Sequence, residues 1–385
     1  MYCIGINAQL LSGEAGYRRA GIHHYIAQVL RHLPADERLR YLVFSAYRAQ
    51  GTDPSVMWQE PRWPTGNRFL RILWEQTAWP LTARRQGIDL LHSTAFVTPI
   101  WAPCPTVVTV YDLSFIEYPD RYPPLQRLYL TSQTRRSCRQ ARRVVAIAGA
   151  GREDIQRLLG IPAERIDVVR PGVDEAFRPL PPGAIAAFRR RKKLPDRFVL
   201  HIGTLQPRKN IPVLIEAMAR LQEHTLPLVL VGGKGWLYDE IFARVETLGL
   251  QDRVRFTGYV PDEELPLWYN AASMLVFPSV YEGFGLPVIQ AMACGTPVIA
   301  ADTSAVPEAA GEAALLFAPQ DVDCLTQHIS TILENSDLVA AMRQAGLKHT
   351  AQHSWTIAGE EMANVYLRAL AENPTLVEES ALVHE

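Results

Sequence analysis

The 385 residues exceed one small domain and suit about two of ordinary size. With 48% hydrophobic and 21% charged residues and a mean hydropathy of −0.04, the chain is neither disordered nor fibrous. Its net charge of −1 conceals a split: residues 1–170 hold 22 arginines and no lysine against 14 acids, a balance of +8, whereas the rest carries −9. Such asymmetry draws the first half toward something anionic, unless it reflects only two solvated surfaces.

The five cysteines, Cys3, Cys104, Cys138, Cys294 and Cys324, are odd in number, widely spaced and without a CxxC pair, which argues against a disulfide framework or a zinc site. MYCIGINAQLL lacks the basic start and long apolar stretch of a secretory signal, and no stretch approaches the ~18 apolar residues of a membrane span. The expected place is the cytoplasm, with peripheral contact at the inner membrane face as an option.

From the N-terminus, short apolar runs predict strands at 2–6, 41–44, 90–92, 106–110, 144–146 and 166–169. Helical patterns lie between them at 21–33, 69–86, 125–140 and 150–159. RPGVDEAFRPLPPG, at 170–183, reads as a domain connection, and a basic helix follows at 184–193. Alternation then resumes more regularly. Strands are predicted at 198–202, 228–231, 254–257, 274–277, 298–301 and 314–317, and helices at 211–222, 236–248, 262–272, 286–294 and 321–333. An amphipathic stretch at 354–370 is suited to docking. The reading is α/β, with two Rossmann-like doubly wound domains facing a central cleft and chemistry on the loops after the strands.

The most informative segment is SVYEGFGLPVIQAMACGTPVIAAD, residues 279–302. A strand ends, Glu282-Gly283-Phe284-Gly285 turns, and a helix begins at Leu286-Pro287. Glycines and a helix N-terminus suit a phosphate. A carboxylate beside an anion site makes sense where it accepts hydrogen bonds from ligand hydroxyls, which together suggest a sugar attached to a phosphate. In HIGTLQPRKNIPVLIEA, residues 201–217, the adjacent Arg208 and Lys209 can neutralise a diphosphate without a metal. The loop 13–22, ending at Gly21, lacks GxGxxG spacing, so NAD or FAD is not expected, but its backbone could approach a ligand. Strand 106–110 delivers Tyr111 and Asp112 to its carboxyl end, either as a polar pair facing the cleft or, for Asp112, as a cap. Asp321-Val322-Asp323 has the outline of a metal-binding DxD, yet it opens a helix, where aspartate caps amides. Gly232-Gly233-Lys234-Gly235 lacks Walker spacing.

Together these segments resemble the retaining glycosyltransferases of family 4, over nearly the whole chain and most closely from 201 to 319. GTLQPRKN, FTGYVPDEELPLWYNAA, VFPSVYEGFGLPVIQAMACGTPVIA and VPEAAGEAALLFAP carry the resemblance. It implies the GT-B architecture, with an acceptor-binding domain at 1–175, a helix at about 355–372 packing back on it, and a donor-binding domain at 176–354. Arg208 and Lys209 would clamp the donor diphosphate, and Glu282 would hold donor-sugar hydroxyls. The amides of Gly283, Phe284, Gly285 and Leu286 would line the pocket, Tyr259 and Val260 would border the base, and Gly21 would approach the phosphates.

Two positions depart from the family pattern. Gln290 stands where a second acid usually bonds the ribose, and Tyr111 precedes Asp112 where the family commonly has histidine. Tyr111 and Asp112 are therefore assigned to positioning.

The implied reaction is retaining transfer of a hexose, with mannose from GDP-mannose favoured, to a saccharide or lipid-linked acceptor in surface polysaccharide synthesis. The donor is a co-substrate, and neither a metal, another cofactor nor nucleic acid is expected. The Arg-rich first half, with Arg135, Arg136, Arg139, Arg142 and Arg143, could lean on an anionic membrane. A UDP-sugar donor, an epimerase or hydrolase, and a non-catalytic sugar-nucleotide sensor remain alternatives.

Overall fold

The computed structural model describes residues 1–11, 21–221 and 226–371. Much of the predicted loop 13–22 and the end of the predicted helix 211–222 lie outside the described residues. Among those described, thirteen strands form two wholly parallel sheets. The chain divides into two compact units, one of residues 1–172 with the helix Trp355–Ala371, the other of residues 173–354.

The first unit holds β1 (Tyr2–Asn7), β2 (Leu39–Phe44), β3 (Val56–Gln59), β4 (Leu90–Ser93), β5 (Thr106–Val110), β6 (Arg143–Ala146) and β7 (Ile166–Val168), in the order β3-β2-β1-β4-β5-β6-β7. β4, β5 and β6 are buried throughout, as expected where helices cover both faces of a parallel sheet, and their polar members include His92, Thr109 and Arg143. The edge strand β3 is absent from the sequence reading. VMWQ is short, partly exposed and bounded by Pro54 and Pro61, so nothing separates it from a loop. The predicted helix 69–86 is two, Arg68–Gln76 and Ala78–Arg85, broken where Thr77 leaves helical geometry at φ −129°, ψ −68°.

The helix Trp355–Ala371 packs within this unit. A Cβ on Gly359 would lie 1.9 Å from the His32 carbonyl oxygen, so only glycine permits that approach. Tyr366 Oη and His92 Nδ1 are 2.8 Å apart, and the buried Asp167 carboxylate accepts two 2.8 Å bonds from Arg143 and one of 2.8 Å from Arg368.

The second unit holds β8 (Val199–Ile202), β9 (Leu228–Val231), β10 (Val254–Gly258), β11 (Met274–Phe277), β12 (Val298–Ala301) and β13 (Leu315–Phe317), in the order β10-β9-β8-β11-β12-β13. Its core packs Ile211, Leu214 and Ile215 of one helix and Leu325 and Ile329 of another against Leu228, Val276 and Ile299. The predicted helix 236–248 begins later, at Asp239. In both units the strand order turns back, between β1 and β4 and between β8 and β11. At such switch points the loops diverge and leave a crevice beyond the carboxyl ends of the strands.

Candidate functional site

Within the second unit, the loops after β8 and β11 leave adjacent strands at the switch point, and they carry the charged residues singled out from sequence. β8 runs through Gly203 into the single 3₁₀ turn Pro207–Lys209, after which Asn210 takes a left-handed conformation (φ 52°) and the helix Ile211–Arg220 begins. The Val280 amide donates to the Arg208 carbonyl at 2.9 Å, joining the two loops.

Between them lies a three-residue ion cluster. Lys209 Nζ donates to Glu282 Oε1 at 2.5 Å, and an Arg208 guanidinium nitrogen donates to Glu282 Oε2 at 2.8 Å and to the Tyr281 carbonyl at 2.9 Å. Lys209 and Glu282 are buried, and the ammonium also sits 5.0 Å from the centre of the Phe277 ring. Burial alone would raise the Glu282 pKa, but the charges of Arg208 and Lys209 outweigh it and hold the carboxyl at about 2. Glu282 is therefore an anion at neutral pH that accepts and never donates. The two cations and the carboxylate thus already satisfy one another.

The turn is fastened from a third loop, after β12. Ser304 Oγ donates to the Glu282 carbonyl at 2.7 Å and accepts from the Glu282 amide at 3.3 Å, while Ser304 itself adopts φ 55°. A non-glycine residue in that region carries strain that its surroundings must sustain. Gly285 precedes the helix Leu286–Ala293 at φ 114°, a conformation that glycine allows, and Pro287 occupies the first turn. Gly283 and Leu286 are half-buried and Phe284 is buried, its ring packed edge-on against His353.

The GGKG segment has a structural task that sequence reasoning missed. A Cβ on Gly232 would fall 2.0 Å from the Gly203 carbonyl oxygen and one on Gly235 2.8 Å from that of Leu205, so these glycines let the loop press against the one bearing Arg208. Ser304 was missed as well, for a serine in TSAVPE gives no signal of its contact. His201, fully buried at the end of β8, is held down to about pKa 4 by burial, and its Nδ1 lies 3.1 Å from the Val276 carbonyl.

The other predicted residues are placed less directly. Gln290 Oε1 accepts from Tyr269 Oη at 3.0 Å, so its amide oxygen already has an interior partner. Tyr259 is exposed and Val260 buried, just beyond β10, two strands from β8. In the first unit, Gly21 precedes the helix Ile22–Arg31 at φ 62°.

Tyr111 corrects the expectation of a cleft-facing polar group. It is buried between the Tyr25 and Phe96 rings, and its hydroxyl donates to the Thr94 carbonyl at 2.8 Å. Burial raises its pKa well above the usual value, so it stays protonated in a structural bond. Asp112 accepts from the Ser114 amide at 3.0 Å and the Ser114 hydroxyl at 2.6 Å, which is the capping alternative. Asp321 caps the helix Val322–Glu334 by accepting from the Cys324 amide, and Asp323 pairs with Arg220. No group of metal-ligating side chains occurs among the described residues.

Comparison with known proteins bears on the family and the fold. The family model described as Glycosyltransferase Family 4 matches residues 19–177, and that described as Glycosyl transferases group 1 matches 185–349. The chain is 34% identical over 264 residues to the O-antigen chain mannosyltransferase B of Escherichia coli, covering 68% of this chain and 69% of that protein. It is 28% identical over 279 residues to the serotype-specific mannosyltransferase WbdA of Escherichia coli, covering 69% of this chain but only 34% of that longer protein. Among solved structures, the sucrose-phosphate synthase of Thermosynechococcus elongatus superposes with a TM-score of 0.77 at 23% identity, over 97% of this chain and 100% of the other.

Proposed function

The chain belongs to glycosyltransferase family 4 and is a sugar-transferring enzyme; we propose that it moves mannose from GDP-mannose, with retention, to a saccharide or lipid-linked oligosaccharide in surface polysaccharide assembly. The observation that carries this reading is the buried Glu282 held between Arg208 and Lys209 where the loops of β8 and β11 diverge. Two cations and a glycine-led helix start form a site for a diphosphate, and the carboxylate among them has no role toward phosphate. It suits the hydroxyls of the attached hexose. An entering diphosphate competes with Glu282 for Arg208 and Lys209, and the carboxylate then turns its lone pairs to the sugar.

In the transfer, the acceptor oxygen bonds to the anomeric carbon on the face from which the diphosphate departs. The bond from that carbon to the phosphate oxygen breaks, and the acceptor's proton passes to the departing phosphate. Arg208 and Lys209 stabilise the charge that develops there, each charged hydrogen bond contributing about 1.5–3 kcal/mol. That makes a divalent ion unnecessary, so transfer continues in the presence of a chelator. Mannose is favoured by the 34% identity to a protein named as a mannosyltransferase over two thirds of both chains.

The test is incubation of the purified chain with GDP-mannose or UDP-glucose and a panel of saccharide acceptors, with the product linkage read by NMR. A mannosylated product whose anomeric configuration matches the donor supports the proposal. Preference for UDP-glucose would replace the donor, sugar released only into solution would indicate a hydrolase, and donor binding without turnover would indicate a sensor.

A further inference from the structure

The turn that carries Glu282 is braced from behind by a helix end that has no part in the transfer described above. The helix Ser336–Thr350 packs against the helix Leu286–Ala293, and where they cross a Cβ on Gly346 would lie 3.2 Å from Met292 Cβ. Its last turn carries His349, and His353 follows just beyond. His349 Nε2 lies 3.0 Å from the Ala309 carbonyl oxygen. The same ring fills the space over Gly311, which adopts φ 52° and where a Cβ would fall 2.7 Å from the imidazole. Gly285 approaches the same short helix, Val306–Ala310, from the other side: a Cβ there would be 3.4 Å from Ala309 Cβ.

The two histidine rings are 4.9 Å apart, and His353 meets the Phe284 ring edge-on, their centres 5.6 Å apart at 64°. Phe284 stands between Gly283 and Gly285, neither of which has a side chain to fix the backbone, so the buried Phe284 ring is the anchor of the turn. His353 is in turn fixed through its own backbone. Its amide donates to the Thr350 carbonyl at 3.0 Å, and its carbonyl accepts from the Val173 amide at 3.0 Å. The chain passes between its compact units at 172–173 and again at 354–355, so this last bond ties the two passages together.

From these contacts we infer that His353 is a positioning residue for the turn 282–285. Its ring holds Phe284, Phe284 holds the glycine amides and the Glu282 backbone in place, and occupancy of the turn is felt at the Val173 bond. The inference rests on the donor-site reading above and adds the side chain that sets the geometry of the turn. An edge-on aromatic pair changes an equilibrium constant by about threefold to tenfold. That stabilisation acts on binding where it preorganises amides for a diphosphate, whereas a histidine that only fills space would act on folding alone.

The experiment is calorimetric titration of GDP and of UDP into the full chain and into His353→Leu, His353→Phe, Phe284→Leu and the double variant His353→Leu with Phe284→Leu. Hydrogen exchange at the Val173 amide is followed with and without the nucleotide that binds. His353→Leu should weaken nucleotide binding about threefold to tenfold, and His353→Phe, which keeps an aromatic edge, should restore it to within about twofold. Phe284→Leu should weaken it to a similar extent, and the double variant should lose no more than the weaker single one, as expected of two residues acting through one contact. Nucleotide should slow exchange at Val173 in the unaltered chain and fail to do so in His353→Leu. Binding within twofold of normal in His353→Leu would overturn the inference even if its melting temperature fell. So would a loss that His353→Phe does not restore, additive losses in the double variant, or Val173 exchange indifferent to nucleotide. A chain that binds neither GDP nor UDP would overturn the donor-site reading itself, so the two failures are distinguishable.

Discussion

Lys209 and Glu282, 73 positions apart in the chain, meet through a buried 2.5 Å hydrogen bond, and Arg208 takes the other carboxylate oxygen at 2.8 Å. The relationship makes Glu282 the internal counterion of both cations and, in the proposed transfer, the donor diphosphate's competitor for them.

Glu282→Gln removes that competitor without removing volume. Affinity for GDP should stay equal or rise severalfold. Turnover should fall at least about a hundredfold, because the amide cannot polarise the sugar hydroxyls as a carboxylate does. Single-turnover kinetics with GDP-mannose beside calorimetric titration of GDP separates the two effects.

The pH dependence of stability carries two signatures. Glu282 has its folded pKa depressed to about 2, so its contribution is present above the usual carboxylate range near 4.5 and is lost as pH falls through about 2. Lys209→Met should make the second unit melt lower at neutral pH and flatten this loss. His201 and His92 are held neutral by burial, at about 4 and about 3, so the unfolded chain takes up protons first and stability declines once pH drops below about 6.5. His92→Gln should shallow the decline between pH 6.5 and 3 in the first unit. Calorimetric scans across that range test both.

Ser304 distinguishes strain from bonding. Ser304→Gly relieves the left-handed backbone but loses the hydroxyl bond to the Glu282 carbonyl, whereas Ser304→Ala loses the bond and keeps the strain. The alanine variant should be the less stable by about 1 kcal/mol. Both should lower kcat by several-fold, because the Glu282 turn loses its fastening. Denaturant midpoints and steady-state rates check the order.

Tyr111→Phe should cost about 1 kcal/mol of stability, the value of one buried hydrogen bond, and change kcat less than about twofold. A tenfold loss of kcat would restore Tyr111 to the reaction.

Much of the fold could be read from the chain because parallel strands buried on both faces leave unbroken apolar runs, as at β9, β11 and β12. The edge strand β3 escaped because half-exposed residues between prolines look like a loop. Glu282, Arg208 and Lys209 were legible because their loops begin at recognisable strand ends. Their mutual pairing was not, since which strands lie adjacent is set by sheet order and not by sequence order. Tyr111 misled for a related reason: a residue at a strand's carboxyl end can turn inward as readily as outward, and only the Tyr25 and Phe96 rings decide it. The roles of Ser304 and of the GGKG loop depend on backbone approaches between distant segments, for which composition gives no sign.

The most direct test of the account is titration of GDP into Lys209→Ala and Arg208→Ala beside Glu282→Gln. Either cation variant should weaken binding at least about tenfold, while Glu282→Gln should bind as well as the unaltered chain or better. Undiminished GDP binding in both cation variants would contradict it, for the diphosphate would then be held elsewhere.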